Sequence, residues 1–385
     1  MTVRPSIAEP PRDSRGPTVG PHGGDRMSRV IRRPRGTRTA LVAVGTAAIL
    51  LAGPAATAAA KADAGELGFL FGLSSAPDGS LLVADATQGI VRIKGDSRTL
   101  VASLPGAADV DAVGAADFYA ITGGGAPDTG EATLYRVSNG QTKVVADLGA
   151  FEETVNPDGL EINPNPFDVE VLNGGGVLVA DAGGNDILYV DNKGRIDWVA
   201  TLPEAIVSTA NAQALVGCPE AFIPDFQFLC GIPAMPAQAV ATSIAIGPDG
   251  AVYAGELKGF PAPAGESRIW RIEPGTLHAH CGTEGETRCT VVGDGFTSIM
   301  DLQFGPDGTL YVTELDEASW AAVEILQAPT GGTVNACEWG AFPFACEEVA
   351  TDLPIPTATT IGRDGTLYAT IWSLMPGLAD VVALP

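Results

Sequence analysis

The chain of 385 residues carries 46 acidic against 22 basic side chains, a net charge of −24, and such a surface excludes partners that present phosphate backbones or anionic lipid, which need clustered Lys and Arg. With 48 Gly, 29 Pro and 45% hydrophobic residues, it suits many short strands and tight turns rather than long helices. Length alone leaves open one large repeat fold or two ordinary domains.

Residues 1–26 are rich in Pro, Gly and Arg without an apolar period, and read as a disordered leader or an over-extended start. Met27 opens the basic stretch SRVIRRPRGTRTA, which leads into LVAVGTAAILLAG and the Ala-x-Ala of Ala58–Ala60. A positive segment, a short apolar run and small residues at the end make residues 27–60 a secretory signal peptide, too short for a good membrane span. The pair Arg32 and Arg33 leaves twin-arginine export open, and an uncleaved anchor is the alternative. Cleavage near Ala60 would leave 13 basic against 43 acidic groups, a net charge of −30. The expected product is a secreted, extracellular, acidic protein.

From residue 61 onward one phrase recurs: SSAPDGSLLVADA at 74–86, AIGPDGAVYAGEL at 245–257, QFGPDGTLYVTEL at 303–315 and TIGRDGTLYATIW at 360–372. Numbering from the turn Asp, units start at Asp78, Asp249, Asp307 and Asp364, and two degenerate ones align at Ala115 and Gly174. Each unit alternates apolar and polar residues on both sides of a Gly-containing turn, which is a β-hairpin signal. A third strand follows in GIVRI (89–93), TLYRV (133–137), DILYV (186–190) and RIWRI (268–272). A fourth follows in TLVASLP (99–105), KVVADLG (143–149), DWVATLP (197–203) and EEVATDLP (347–354).

Six such units predict an all-β fold, a six-bladed β-propeller of four-stranded antiparallel blades, as a single domain over 61–385. Both faces of each meander are apolar, so each sheet must be sandwiched between neighbours, and radial closure does this for all of them. The last unit is short, and a strand near GELGFLF (65–71) is expected to complete it and lock the ring. The spacing of 75 residues between the third and fourth units marks an insertion at about 206–237, either a lid over one mouth or a surface loop packed on a blade.

The six cysteines form three close pairs: Cys218 with Cys230, Cys281 with Cys289, and Cys337 with Cys346. Six cysteines allow 15 pairings, and proximity favours the local set, tying irregular insertions. Zinc is the rival reading, but there is no Cys-x-x-Cys and only His278 and His280 follow residue 61.

Three long phrases, NPFDVEVLNGGGVLVADAGGNDILYVD (165–191), TSIAIGPDGAVYAGELKGFPAPAGESRIWRI (242–272) and FTSIMDLQFGPDGTLYVTEL (296–315), resemble the exported ScyD/ScyE family, and the turn phrase is similar to NHL repeats. The resemblance runs from about Phe71 to Ala369. It implies a secreted NHL-like propeller of undefined activity, with the degenerate second unit and the Cys-rich inserts as departures.

Carboxylates recur at fixed offsets. Seven residues after the turn position stand Asp85, Asp181, Glu256 and Glu314; six before it stand Asp109, Asp168 and Asp301; four before it stand Asp111, Glu170 and Gln303. If equal distances from a turn fold together, Asp168 approaches Asp181 and Asp301 approaches Glu314, all at one mouth, where like charges need compensation. Ca2+ would supply it, with Asn185 and loop carbonyls as further ligands. A one-residue difference in register would turn one set away, and the plainer role for the later set is to accept backbone amides at the bend.

These features support a binding module for a small molecule, glycan or partner protein, with Phe260, Trp320, Trp339 and Phe342 as aromatic candidates in long connections. The alternative is a calcium-dependent lactonase- or esterase-like hydrolase, with Asp168 or Asp301 as general base. No organic cofactor and no nucleic-acid partner are indicated. The mature chain is expected to act as a monomer without a membrane span.

Overall fold

The computed structural model describes residues 62–124, 131–340 and 342–385, so the segments expected to be a leader (1–26) and a signal peptide (27–60) lie outside the described residues. Among the described residues six blade sheets follow one another along the chain, with a two-stranded ribbon, Ala205–Ser208 paired with Ala234–Ala237, between the third and the fourth. The first blade is Leu70–Ser75, Leu81–Asp85, Gly89–Lys94 and Ser97–Ser103; the second is Ala107–Ala112, Asp117–Thr122, Thr133–Ser138 and Gln141–Asp147. The third comprises Pro166–Val171, Val177–Asp181, Asp186–Val190 and Ile196–Thr201, and the fourth Ala241–Ile246, Val252–Glu256, Ser267–Ile272 and Cys289–Phe296. Ile299–Phe304, Leu310–Glu314, Gly332–Cys337 and Cys346–Leu353 make the fifth, and Thr359–Ile361, Leu367–Ile371 and Asp380–Ala383 the sixth. The molecule is an all-β, six-bladed propeller of antiparallel four-stranded blades, the sixth having three strands among the described residues.

Burial explains why the sheets stack radially. Leu178, Ile187 and Val199 of the third blade pack on Ile244, Val252 and Trp270 of the fourth. The same sandwich joins the first to the second through Leu82, Ile90 and Phe118, and the second to the third through Ile121, Leu134 and Val179. Each such side chain taken out of water contributes roughly 1.5–3 kcal/mol, which no isolated blade could gain on both faces.

The segment 65–71 does not complete the sixth blade. Leu70 instead begins the innermost strand of the first blade, while Ala62–Asp63 adds to the outer edge of that same blade, antiparallel to Ser97–Ser103. The ring closes by packing of Leu67, Leu70 and Leu73 against Ala358 and Ala379, by Leu70 N–H donating to Ser373 O at 2.9 Å, and by the Arg98–Asp380 ion pair at 2.6 Å. The irregular run before Leu70 already has the last blade's loop as its neighbour.

All three local disulfides are formed, Cys218–Cys230, Cys281–Cys289 and Cys337–Cys346. His278 and His280 lie in the segment that reaches back to the third blade, where Ala279–His280 pairs in parallel with Ala200–Thr201. Both rings pack on Trp198, at 4.8 and 5.0 Å between centroids, which gives the pair a structural occupation. No helix among the described residues is long and apolar enough to cross a membrane.

Candidate functional site

The hairpins that build the axis pair symmetrically about their turn, so the residue six before it faces the residue six after. Asp168 therefore pairs with Ala180, Asp301 with Thr313 and Asp109 with Ile121. The expected juxtapositions of Asp168 with Asp181 and of Asp301 with Glu314 do not form, because a shift of one residue sends the side chain to the other face. A bulge at Phe71, Ala108, Phe167, Thr242 or Met300 follows in each of the first five hairpins.

The two sets of acids consequently part. Asp109, Asp168 and Asp301 line an axial cavity with Asp111, Glu170 and Gln303 beneath them. The later set turns into the bends. Asp85 accepts from the backbone of Gly68 and Thr87, each at 2.8 Å, and Asp181 from Asn165 at 2.7 Å and Gly184 at 2.9 Å. Glu314 accepts from Thr297 N–H and from Asn335 Nδ2. Glu256 is fully buried between Trp270 Nε1 at 2.6 Å and Lys258 Nζ at 2.5 Å.

Within the axis each carboxylate reaches to the next blade. Asp109 Oδ2 accepts from Val169 N–H at 2.9 Å, Asp168 Oδ2 from Ile244 N–H at 2.6 Å, and Asp301 Oδ2 from Thr359 N–H at 2.6 Å. One layer lower, Asp111 Oδ2 accepts from Val171 N–H at 2.9 Å and Ser74 Oγ from Ala112 N–H at 3.1 Å. An innermost strand has one unpaired edge, and these side chains cap it.

These acids line the cavity inside the ring, and burial dominates their ionisation. Burial and the charge of Asp168 hold Asp109 well above the ordinary carboxylate range. Asp168 is raised to about 7 by burial and by Asp301, and Asp301 to about 6 by burial. Glu170 rises through burial and then through Asp111, Asp168 and Asp301.

The cavity measures about 40 Å³, enough for a few waters but far below the roughly 300–1,000 Å³ of small-molecule pockets. Its upper end is apolar. Phe71 and Phe167 meet edge to face at 5.8 Å, and Phe167 and Met300 join a cluster with Trp320, Ile355 and Trp372. Two short helices roof that cluster: α1 (Ala210–Val216), from the insertion, supplies Leu215, and α2 (Trp320–Glu324) supplies Trp320, Ala321 and Val323. Asn211 Nδ2 ties the roof together by donating to Ala262 O at 2.8 Å and Ala318 O at 3.1 Å. Trp320 is thus buried and Phe260 half-buried, whereas Trp339 and Phe342 are exposed. Phe222 and Phe228 of the insertion are 63% and 52% exposed, and Phe226 stacks on Phe260 at 6.0 Å.

As a calcium cradle the axial set fits poorly. An oxygen of each upper Asp is already engaged by a backbone amide of the next blade. As an acid–base pair it has a carboxyl raised to about 7 but no room beside it for an ester or lactone.

Sequence reading passed over a second group of acids, Glu152, Asp158 and Asp186, which meets Asp181 away from the axis. The one signal for it is a charged residue opening an apolar strand, in DILYV at Asp186.

No family model matches the chain, and no curated protein matches it. Among solved structures, a protein of Thermus thermophilus described as a putative oxidoreductase (glucose dehydrogenase) is similar with a TM-score of 0.51 and 15% identity, over 85% of this chain and 99% of that one. A second glucose dehydrogenase has a TM-score of 0.50 and 12% identity, over 83% and 97%. A calcium-binding protein, regucalcin, from Agrobacterium tumefaciens has 0.47 and 12%, over 79% and 82%. At these identities the likeness shows the propeller fold alone.

Proposed function

We propose that the protein is an exported binding propeller, of the kind that its resemblance to the ScyD/ScyE family and NHL repeats implies, which grips a small molecule, glycan or partner protein on the lid-bearing mouth. The observation that carries this reading is the contrast between the two parts of that mouth. The axial cavity is small and roofed by an apolar cluster, while the Cys218–Cys230 loop holds Phe222 and Phe228 out in water. Large apolar side chains kept exposed on a covalently tied loop are a contact surface in waiting. The hydrolase alternative, with calcium at Asp168 and Asp301, lacks space for a substrate beside those carboxyls.

The test is a glycan and small-molecule array probed with the mature chain, hits being measured by calorimetry. Binding is expected to be lost in the double variant Phe222→Ser/Phe228→Ser while the melting temperature holds. Undiminished binding by that variant, or turnover of a lactone or ester panel that disappears in Asp168→Asn, overturns the reading.

A further inference from the structure

The off-axis acids occupy a bend of the third blade. Asp181 ends one strand, Asp186 opens the next, and the two are direct cross-strand partners, a placement in which like charges destabilise. Asp181 is 1% and Asp186 0% exposed. Between them, a Cβ placed on Gly184 would stand 3.3 Å from Asp186 Oδ2 and 3.4 Å from Asp181 Cγ, so both carboxyls crowd the same glycine. The helix Leu148–Val155, entered from Asp147 as its N-cap, contributes Glu152, which is buried at 2% exposure. The loop after that helix contributes Asp158, whose Oδ2 accepts from Asn185 Nδ2 at 2.9 Å.

Four oxygens in this group, Asp186 Oδ1 and Oδ2, Asp181 Oδ2 and Glu152 Oε1, are buried without a hydrogen-bond partner. None of the ion pairs among the described residues involves Glu152, Asp158, Asp181 or Asp186. Buried carboxylate oxygens without a partner, and with no cation of the protein's own among the described residues to meet them, are costly. Glu152 and Asp158 lie within electrostatic reach of Asp181 and Asp186.

We propose that Glu152, Asp158, Asp181 and Asp186 form a calcium site that clamps the helix 148–155 and its following loop onto the third blade. The donors are all hard oxygens, with no nitrogen or sulfur ligand at hand, which selects calcium over zinc or copper. The flexible coordination of calcium also suits ligands drawn from a helix, a loop and a strand pair, where magnesium demands near-octahedral geometry. The oxygens are not drawn into a coordination shell, so loading requires side-chain rotation of Glu152 and Asp158, the two members outside the strand pair. This site is separate from the axis and does not rest on the binding function proposed above.

The test is calorimetry and thermal melting of the mature chain, freed of metal with EDTA and titrated with calcium chloride at neutral pH. One calcium per chain is expected, with a melting temperature that climbs with calcium concentration and a weaker response to magnesium. Asp186→Asn and, separately, Glu152→Gln are each expected to weaken binding by about tenfold or more, whereas Asp168→Asn and Asp301→Asn leave the titration unchanged. Glu152→Gln keeps the shape of the helix residue, so it serves where Asp186→Asn does not fold. The proposal is overturned by the absence of heat and of any melting shift up to about 10 mM calcium, above the affinity range of extracellular calcium modules. Binding that survives both off-axis substitutions, or that is abolished by the axial ones, overturns it equally.

Discussion

Asp168 of the third blade and Ile244 of the fourth are joined by a 2.6 Å hydrogen bond from the backbone amide to the carboxylate, and Asp301 of the fifth blade repeats the relationship with Thr359 of the sixth. The axial acids therefore hold the ring together, at the cost of ionising inside it. Two substitutions separate these effects. Asp301→Asn keeps an acceptor for Thr359 N–H and removes the ionisation penalty, so at pH 8 its denaturation midpoint equals or exceeds that of the natural chain. Asp301→Ala leaves the amide unpaired and falls below the Asn variant by about 1–3 kcal/mol. Equal midpoints for the two variants would show that the amide does not need the carboxyl.

The unit count and most strand positions were legible because a hairpin is a local object: the alternation on both sides of PDG fixes two strands, as at 303–315. The register at Asp168 was not, since one residue of offset separates an axial acid from one facing a bend. Nor was ring closure, because Leu67 and Leu70 are apolar in either arrangement and only their contacts with Ala358 and Ala379 decide between them. The run KVVADLG (143–149) reads as a strand throughout, yet Asp147 Oδ1 accepts from Ala150 N–H and starts a helix there. That helix carries Glu152, so missing it hid one of the off-axis acids. Trp320 looked available in a long connection, and its burial depends on a roof assembled from elements far apart in the chain.

Stability is expected to fall as pH rises through the neutral range in calcium-free buffer. Glu152, Asp168 and Glu314 are raised to about 7, and Asp181 and Asp301 to about 6, each chiefly by burial. A group with a raised folded pKa holds a proton that the unfolded chain has released, so its contribution is complete below about pH 4 and is lost as pH climbs through 6 to 7. Asp249, Asp307 and Asp364, lowered by their hydrogen bonds, act oppositely and weaken the fold only below about pH 4. Melting temperatures measured from pH 4 to 8 should peak near pH 5. A curve still rising between pH 6 and 8 would contradict these protonation states.

Opening the Cys218–Cys230 bridge should loosen the insertion rather than the ring. The bridge closes a loop of 12 residues, and a loop of about that size is worth roughly 3 kcal/mol. That stabilisation falls on a subcluster, Ala212, Val216 and Leu229, which is distinct from the interblade cores. The double variant Cys218→Ala/Cys230→Ala is expected to keep the far-ultraviolet spectrum and the main melting transition while residues 206–237 become sensitive to protease. Cleavage first within a blade would place the weak point elsewhere.

Glu256 and Lys258 form a 2.5 Å ion pair at 0% and 1% side-chain exposure, the carboxylate bonded in addition to Trp270 Nε1. Burial raises the Glu256 carboxyl, and the neighbouring ammonium partly offsets it. Lys258→Met removes that offset and leaves a buried acid without a cation, a change of about 3–5 kcal/mol for buried pairs broken on one side. Glu256→Gln together with Lys258→Met removes both charges and keeps an acceptor for Trp270, so most of the loss should return. The measurement is a double-mutant cycle of denaturation midpoints at neutral pH. Additive losses would mean that the two side chains meet without depending on each other.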